Sequence, residues 1–177
     1  MPVPEFLREL RTHVGHDPLW LSGVTGVIFD DHDRVLLTRR SDNGRWALLA
    51  GILEPGEQPG DAVVREAFEE AGVRVLPERL AAVMVDPPVV YPNGDQATYL
   101  SLVFRCRYLD GEARVNDDES LEVRWFALDD LPADVTSHQR EKVRVALRDT
   151  ETTWFALSKP EPESGIEPEP EAAPAGP

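Results

Sequence analysis

Three glutamates, Glu66, Glu69 and Glu70, fall within a stretch that reads as a helix from Gln58 to Ala71, with Gly72 placed to end it in a left-handed cap. At about 100° per residue, Glu66 and Glu70 lie one turn apart on one face, with Glu69 beside them. Val64, Ala67, Phe68 and Ala71 are expected on the opposite, buried side. Like charges one turn apart repel by roughly a few tenths of a kcal/mol, so three together invite a compensating cation. Mg²⁺ suits such a place because it takes carboxylate oxygens, keeps several waters and bridges to phosphates. Helical periodicity alone fits a solvated acidic face equally well, and both readings stand at this point.

The longer segment GILEPGEQPGDAVVREAFEEAGV, Gly51 to Val73, separates them. Its order of Gly51, Glu57, Arg65-Glu66, Glu69-Glu70 and Gly72, with apolar residues at Ala67 and Val73, resembles the signature of the Nudix hydrolases. The resemblance covers roughly residues 20–150. It implies an α/β Nudix fold, a mixed sheet sandwiched between helices, and an enzyme that hydrolyses phosphoric anhydrides with Mg²⁺, or Mn²⁺ in its place. By the same likeness Glu66, Glu69 and Glu70 bind metal and share in catalysis, and the Ala50 carbonyl is a further ligand. Glu57 and Arg65 form a structural ion pair. Gly51 and Gly56 permit a tight loop, and Gly72 closes the motif. Glu119, six residues before Trp125, stands where some members keep a further ligand or general base, with Asp117, Asp118 and Glu122 as competitors. The implied chemistry is attack on phosphorus by a metal-activated water that gives its proton to a carboxylate.

The substrate is narrowed by weaker cues. Leu48-Leu49-Ala50-Gly51 is similar to the entry of this motif in hydrolases of ADP-ribose or NADH. Pro88 matches a position often proline in ADP-ribose hydrolases, whereas Tyr91 matches one often tyrosine in dinucleoside-polyphosphate hydrolases. An ADP-ribose-like nucleoside diphosphate derivative is the expected substrate. A nucleoside triphosphate or oxidised nucleotide is the alternative, and a non-enzymatic nucleotide-sensing Nudix domain is the rival of another class. Isomerases of this fold need a catalytic cysteine, for which Cys106 in mid-strand is poorly placed. Arg39 and Arg40 could meet phosphate. Trp46, Tyr91 and Trp125 could stack on a base, although aromatic core packing suits them at least as well. The four histidines lack zinc-ligand spacing, and no P-loop lysine motif occurs.

These residues need elements to hold them. An amphipathic helix is expected over Pro4–His13, its stripe of Phe6, Leu7, Leu10 and Val14 packing on the domain or on the second subunit of a homodimer. Strands are expected over Leu21–Phe29, Arg34–Thr38, Trp46–Leu49, Ala81–Val85, Ala97–Tyr108 and Val123–Ala127, with a closing helix over His138–Arg148. The expected division is a helical extension over 1–18, a Nudix domain over 19–150 and a disordered Pro/Glu-rich tail over 151–177. The 177-residue chain is 41% hydrophobic and 29% charged, an ordinary globular composition. Its net charge of −15 argues against binding nucleic acid or an anionic membrane, but not against a small nucleotide whose phosphates meet bound cations. One cysteine, no membrane-length apolar run and no secretory signal in the sequence make the cytoplasm the expected compartment.

Overall fold

The computed structural model describes residues 3–157. Its elements are α1 (Glu5–Val14), β1 (Leu19–Phe29), β2 (Val35–Arg40), β3 (Trp46–Ala47), β4 (Leu49–Ile52), α2 (Pro59–Ala71), β5 (Val73–Val85), β6 (Val89–Val90), β7 (Gln96–Gly111), β8 (Ser120–Phe126), α3 (Ser137–Ala146) and β9 (Trp154–Phe155). β1 runs parallel to β7 at the centre of one mixed sheet and is buried without a break from Gly23 to Phe29, as a strand covered on both faces must be. Alternation along the strands sends Val24, Ile28, Leu36 and Leu49 to one face, under Val63 and Ala67 of α2. Val27, Phe29, Val35, Leu37 and Leu48 go to the other, under Val143 and Val145 of α3. The architecture is thus the expected α/β sandwich.

The N-terminal helix packs on its own domain. Leu7 is buried with Leu21 and Ala97, joined by Phe6, Ile52, Tyr91 and Tyr99, and Arg11 donates to the carbonyls of Gly15, Asp17 and Gln96. β5 starts directly after Gly72, well before the strand expected at Ala81. Its pairing with β7 slips near Arg74, Pro77 and Leu80, so this half lacks the period-two alternation by which strands are read. The expected tail begins too early at 151: Trp154 and Phe155 pair in parallel with Ala82 and Val83, the indole packed on the core beneath α3. The Pro/Glu-rich run from 158 onward lies outside the described residues. No helix of the described residues is long and apolar enough to cross a membrane.

The end of α3 is held by arginines. Arg79 on β5 donates through Nη2 to the carbonyls of Val145, Ala146 and Arg148 at 3.3, 3.0 and 2.7 Å, and Arg105 on β7 reaches Ala146 at 3.1 Å. These carbonyls lie at and just beyond the last turn, where Val145 and Arg148 also accept the N–H groups of Arg148 and Thr150, and a cation at a helix C-terminus also meets its dipole. Arg79→Ala is therefore expected to lower stability by about 1.5–3 kcal/mol, read by urea or thermal unfolding. Arg79→Lys is expected to recover only part of the loss, because the shorter side chain leaves its ammonium short of the position held by Nη2.

Candidate functional site

α2 is rotated differently from the simple expectation. Its buried arc comprises Ala62, Val63, Glu66, Ala67, Glu70 and Ala71, so two of the three glutamates sit in the middle of the inward face. Phe68, expected in the core, is 51% exposed, whereas Glu66 is 1% and Glu70 7% exposed. The expectation failed because it let side-chain polarity choose the face. The helix instead turns toward β4, where Gly51 leaves room for a carboxylate.

That room is specific. A Cβ built on Gly51 would collide with the carboxylate of Glu66, so glycine here serves close approach, whereas Gly56 serves a turn at φ 86°. Glu70 accepts the Ala50 N–H at 3.2 Å. Among the described residues β4 pairs only with β1, and its other edge is the one facing Glu70. In an extended strand a residue's N–H and C=O point to the same edge, so the Ala50 carbonyl shares this edge with the Glu70 carboxylate.

Arg65 ties the acids together. It grips Glu57 with two hydrogen bonds, Nε to Oε1 at 2.8 Å and Nη2 to Oε2 at 2.9 Å, and through Nη1 reaches Glu66 at 2.8 Å and Glu69 at 3.1 Å. Glu57 also accepts the Glu54 N–H, which closes the loop before α2. The bonds from Arg65 hold the Glu57 carboxyl below the usual range against a modest opposing effect of burial. Burial pushes Glu66 up to about 7; Arg65 opposes this, and repulsion from Glu69 and Glu119 adds to it. Burial also raises Glu70 well above the ordinary value, with repulsion from Glu66, Asp117 and Glu119 on the same side of the balance and the Ala50 N–H against it.

The loop after β7 brings in the remaining groups. Arg114 N–H and Asn116 N–H donate to the carbonyls of Ala71 and Glu70, and Asn116 Nδ2 donates to that of Phe68. This docks the loop on the open end of α2 and carries Asp117 and Glu119 to the acidic cluster. Glu119 is fixed further by its N–H to Asp117 Oδ1 and its carbonyl to the Ser41 N–H. Arg40 pairs with Asp42 at 2.8 Å and also feels Glu70 and Glu119. Sequence reading passed over Asn116, because an asparagine in an irregular acidic loop carries no signal of what it will cap.

Not every candidate joins this group. Arg39 donates to the Gly44 carbonyl and braces a turn. Trp46 is a core residue, 9% exposed and edge-on to Phe126 at 4.8 Å, which corrects its candidacy for base stacking. Trp125 likewise packs edge-on against Tyr108. Tyr91 spends its hydroxyl on Tyr99 at 2.8 Å and packs beneath α1. A cleft of about 470 Å³ opens beside the acids, lined by Arg8, Glu54, Arg65, Phe68, Glu69 and Asp117.

Glu66 Oε2 is buried with no hydrogen-bond partner. An orphaned, buried carboxylate oxygen beside a second buried carboxylate and an edge carbonyl fits a hard divalent cation. Among the described residues no three His, Cys, Asp or Glu side chains close into a ready-made cage. Mg²⁺ does not require one, since it binds through one or two carboxylates and completes its sphere with water and phosphate.

Two outcomes follow. Gly51→Ala is expected to displace Glu66 and destabilise the fold by about 1–3 kcal/mol, seen as a lower unfolding midpoint. Glu66 is more basic in the folded than in the unfolded chain, so its carboxyl favours folding fully below the ordinary value of 4.5, and this contribution is lost as pH rises through about 7. In chelator-treated protein Glu66→Gln is therefore expected to be more stable than wild type at pH 8, by on the order of 1–3 kcal/mol, with the difference shrinking toward pH 5 in unfolding titrations.

Comparison with known proteins agrees with this geometry. The family model described as the NUDIX domain matches residues 20–146. A MutT-like protein of Streptomyces ambofaciens is 38% identical over 114 residues, 64% of this chain and 68% of that one. The human 8-oxo-dGDP phosphatase NUDT18 is 33% identical over 143 residues, and the NAD-capped RNA hydrolase NudC of Salmonella typhi is 36% identical over 102. These alignments take in 77% and 56% of this chain but only 39% and 37% of those longer proteins. Among solved structures, an ADP-ribose pyrophosphatase from Streptococcus suis superposes with a TM-score of 0.58 at 28% identity, covering 77% of this chain and 98% of that one. With its acidic helix turned onto β4 and the family model spanning the whole sandwich, the chain belongs to the Nudix family of hydrolases.

Proposed function

We propose that this chain is a Mg²⁺-dependent pyrophosphohydrolase, with Mn²⁺ able to substitute, that cleaves the diphosphate linkage of an ADP-ribose-like nucleoside diphosphate derivative. The observation that carries the reading is the pair of buried carboxylates, Glu66 and Glu70, set against Gly51 and Ala50 with one oxygen left without a partner. Glu66, Glu70 and the Ala50 carbonyl would hold the metal, with Glu69 at the open side. Bound there, the cation would neutralise the diphosphate and lower the pKa of a coordinated water.

The chain's own groups divide the remaining work. Glu119 or Glu69 takes the proton of the attacking water. Arg65 fixes Glu66 and Glu69 in place while its other edge stays on Glu57, so loop and helix keep one register. Arg40 is better placed than Arg39 to meet phosphate, because it already lies in the field of Glu70 and Glu119. The substrate assignment is supported by the Ala50-Gly51 entry and by likeness to a protein described as an ADP-ribose pyrophosphatase over nearly that protein's full length. Oxidised nucleotides form the second reading, favoured by likeness to the 8-oxo-dGDP phosphatase. Capped RNA fits less well with a net charge of −15. A buried free thiol at Cys106 is in keeping with a reducing cytoplasm as the compartment.

The test is phosphate or nucleotide release from a panel of ADP-ribose, NADH, dGTP and 8-oxo-dGTP. Glu66→Gln and Glu70→Gln are each expected to lower kcat by about 10²–10³-fold. Chelation is expected to abolish turnover, and Mg²⁺ or Mn²⁺ to restore it. Equal turnover by wild type and both variants would overturn the hydrolase mechanism, and inert ADP-ribose beside an active triphosphate would overturn the substrate. Glu119→Gln against Glu69→Gln identifies the base: its loss is expected to depress kcat while leaving KM within about threefold.

A further inference from the structure

On the α3 side of the sheet a lysine is buried in a polar cluster remote from the acids of α2. Lys142 is 1% exposed. Its ammonium donates to Thr25 Oγ1 at 3.1 Å, Ser101 Oγ at 3.0 Å and the carboxylate of Asp86 at 2.8–3.0 Å, which uses all three of its donors. Asp86 follows the end of β5 and is anchored by its own N–H to the Tyr99 carbonyl. His138, in the first turn of α3, contacts Asp86 Oδ1 through Nε2 at 2.7 Å. The Asp86 and His138 side chains remain 24% and 25% exposed at the rim, above a lysine that is fully sealed. A carboxylate offers about four acceptor sites, so Asp86 can take a further donor from outside.

The position relates this rim to the acidic centre. Thr25, which bonds Lys142, pairs directly with Ala50 on β4, and Ala50 is exposed. Between β4 and the end of β5 stand β1 and β7, three strand spacings or about 14 Å. The Tyr99 ring bridges part of this span, lying against Gly23 on β1 so closely that a Cβ there would meet its Cδ1 at 3.4 Å. Arg40 acts electrostatically on both Glu70 and Tyr99, so its charge is felt in both regions. The three strand spacings from the Ala50 edge to the clamped carboxylate are comparable with the span from diphosphate to base in an extended nucleotide.

We infer that Asp86, clamped by Lys142 and His138, is a specificity-determining residue that accepts a hydrogen bond from the nucleoside end of the substrate, with the Tyr99 ring as the adjoining floor. The inference rests on the hydrolase reading proposed above. The donor is either a ribose hydroxyl or the exocyclic amine of the base, and Lys142 and His138 act as positioning residues through Asp86.

The experiment compares kcat/KM for ADP-ribose, its 2′-deoxyadenosine analogue and its hypoxanthine analogue in wild type, Asp86→Asn and Asp86→Ala. The double variant Asp86→Asn/Lys142→Met is added because an unpaired buried lysine could itself unfold the protein. For ADP-ribose the Asp86 variants are expected to raise KM about tenfold with kcat within about twofold. Wild type is expected to discriminate against one analogue, and that discrimination is expected to shrink toward unity in the variants. Loss of the preference against the deoxy analogue identifies the ribose, and loss against hypoxanthine identifies the amine. Unchanged substrate ratios in folded variants, with only the unfolding midpoint lowered, would overturn the inference and leave Asp86 a structural tie. Failure of the underlying reading is distinguishable, since wild type would then turn over none of the three substrates, with activity on a nucleoside triphosphate marking a wrong substrate and activity on no nucleotide marking a wrong reaction.

Discussion

The interaction on which the molecule depends is the confinement of two carboxylates, Glu66 and Glu70, between a helix and the backbone of a strand. Burying an ion costs several kcal/mol even after relaxation. Here the protein supplies only part of the compensation: one guanidinium nitrogen to Glu66 and one amide N–H to Glu70. The deficit is visible as a raised basicity at both residues and as an oxygen with no partner. A site short of positive charge in a water-poor place favours a divalent cation strongly, because the cation removes a cost already present. Binding energy and folding energy are thereby linked at the same atoms.

That arrangement dictates much of the surrounding design. Gly51 must lack a side chain, because the Glu66 carboxylate occupies the place of a Cβ. Arg65 must be arginine, because a planar fork can hold Glu57 with two parallel bonds and still touch Glu66 and Glu69, which a lysine could not. β4 must leave one edge unpaired, so that Ala50 can turn its amide toward Glu70. The loop from Glu112 to Glu119 has to close the open end of α2, which it does by giving backbone and side-chain donors to the last carbonyls of the helix. Its acidic residues then arrive beside the cluster without needing a regular element of their own.

Legibility in the sequence followed the range of the interactions. The acidic helix and its glycine cap were readable because both rest on neighbours within a few residues, and Gly72 is indeed left-handed at φ 67°. The layer order was readable from the buried run of β1. The face that α2 turns inward was not, because it is set by the space at Gly51, distant along the chain, against the ordinary tendency of glutamate to seek water. The first half of β5 escaped notice because its bulges break the alternation, and Trp154 because a short strand beside acidic residues reads as tail. Trp46 could not be assigned from its type, since an aromatic ring at a strand end serves stacking and core packing equally. Asp86, Thr25, Ser101 and Lys142 come from four separate segments, and nothing local to any of them announces the others.

The two polar clusters differ in a way that bears on their roles. Around Lys142 every ammonium donor is matched, and the hydroxyls of Thr25 and Ser101 also bond each other at 3.0 Å. A satisfied network of this kind is rigid, and it gains strength from low surrounding polarity. Around Glu66 and Glu70 the balance is left negative, and the same low polarity magnifies the imbalance. A rigid, neutralised cluster is suited to presenting a fixed acceptor at a rim, whereas an unneutralised one is suited to drawing in charge that the chain does not carry. The sheet joins them: the Thr25–Ala50 pairing connects the strand that rests on the lysine to the strand that borders the acids. Thr25 and Ala50 stand opposite each other without exchanging hydrogen bonds, because Ala50 turns its N–H to Glu70. The two clusters therefore share a sheet but not a hydrogen-bonded path, and each keeps its own balance of charge.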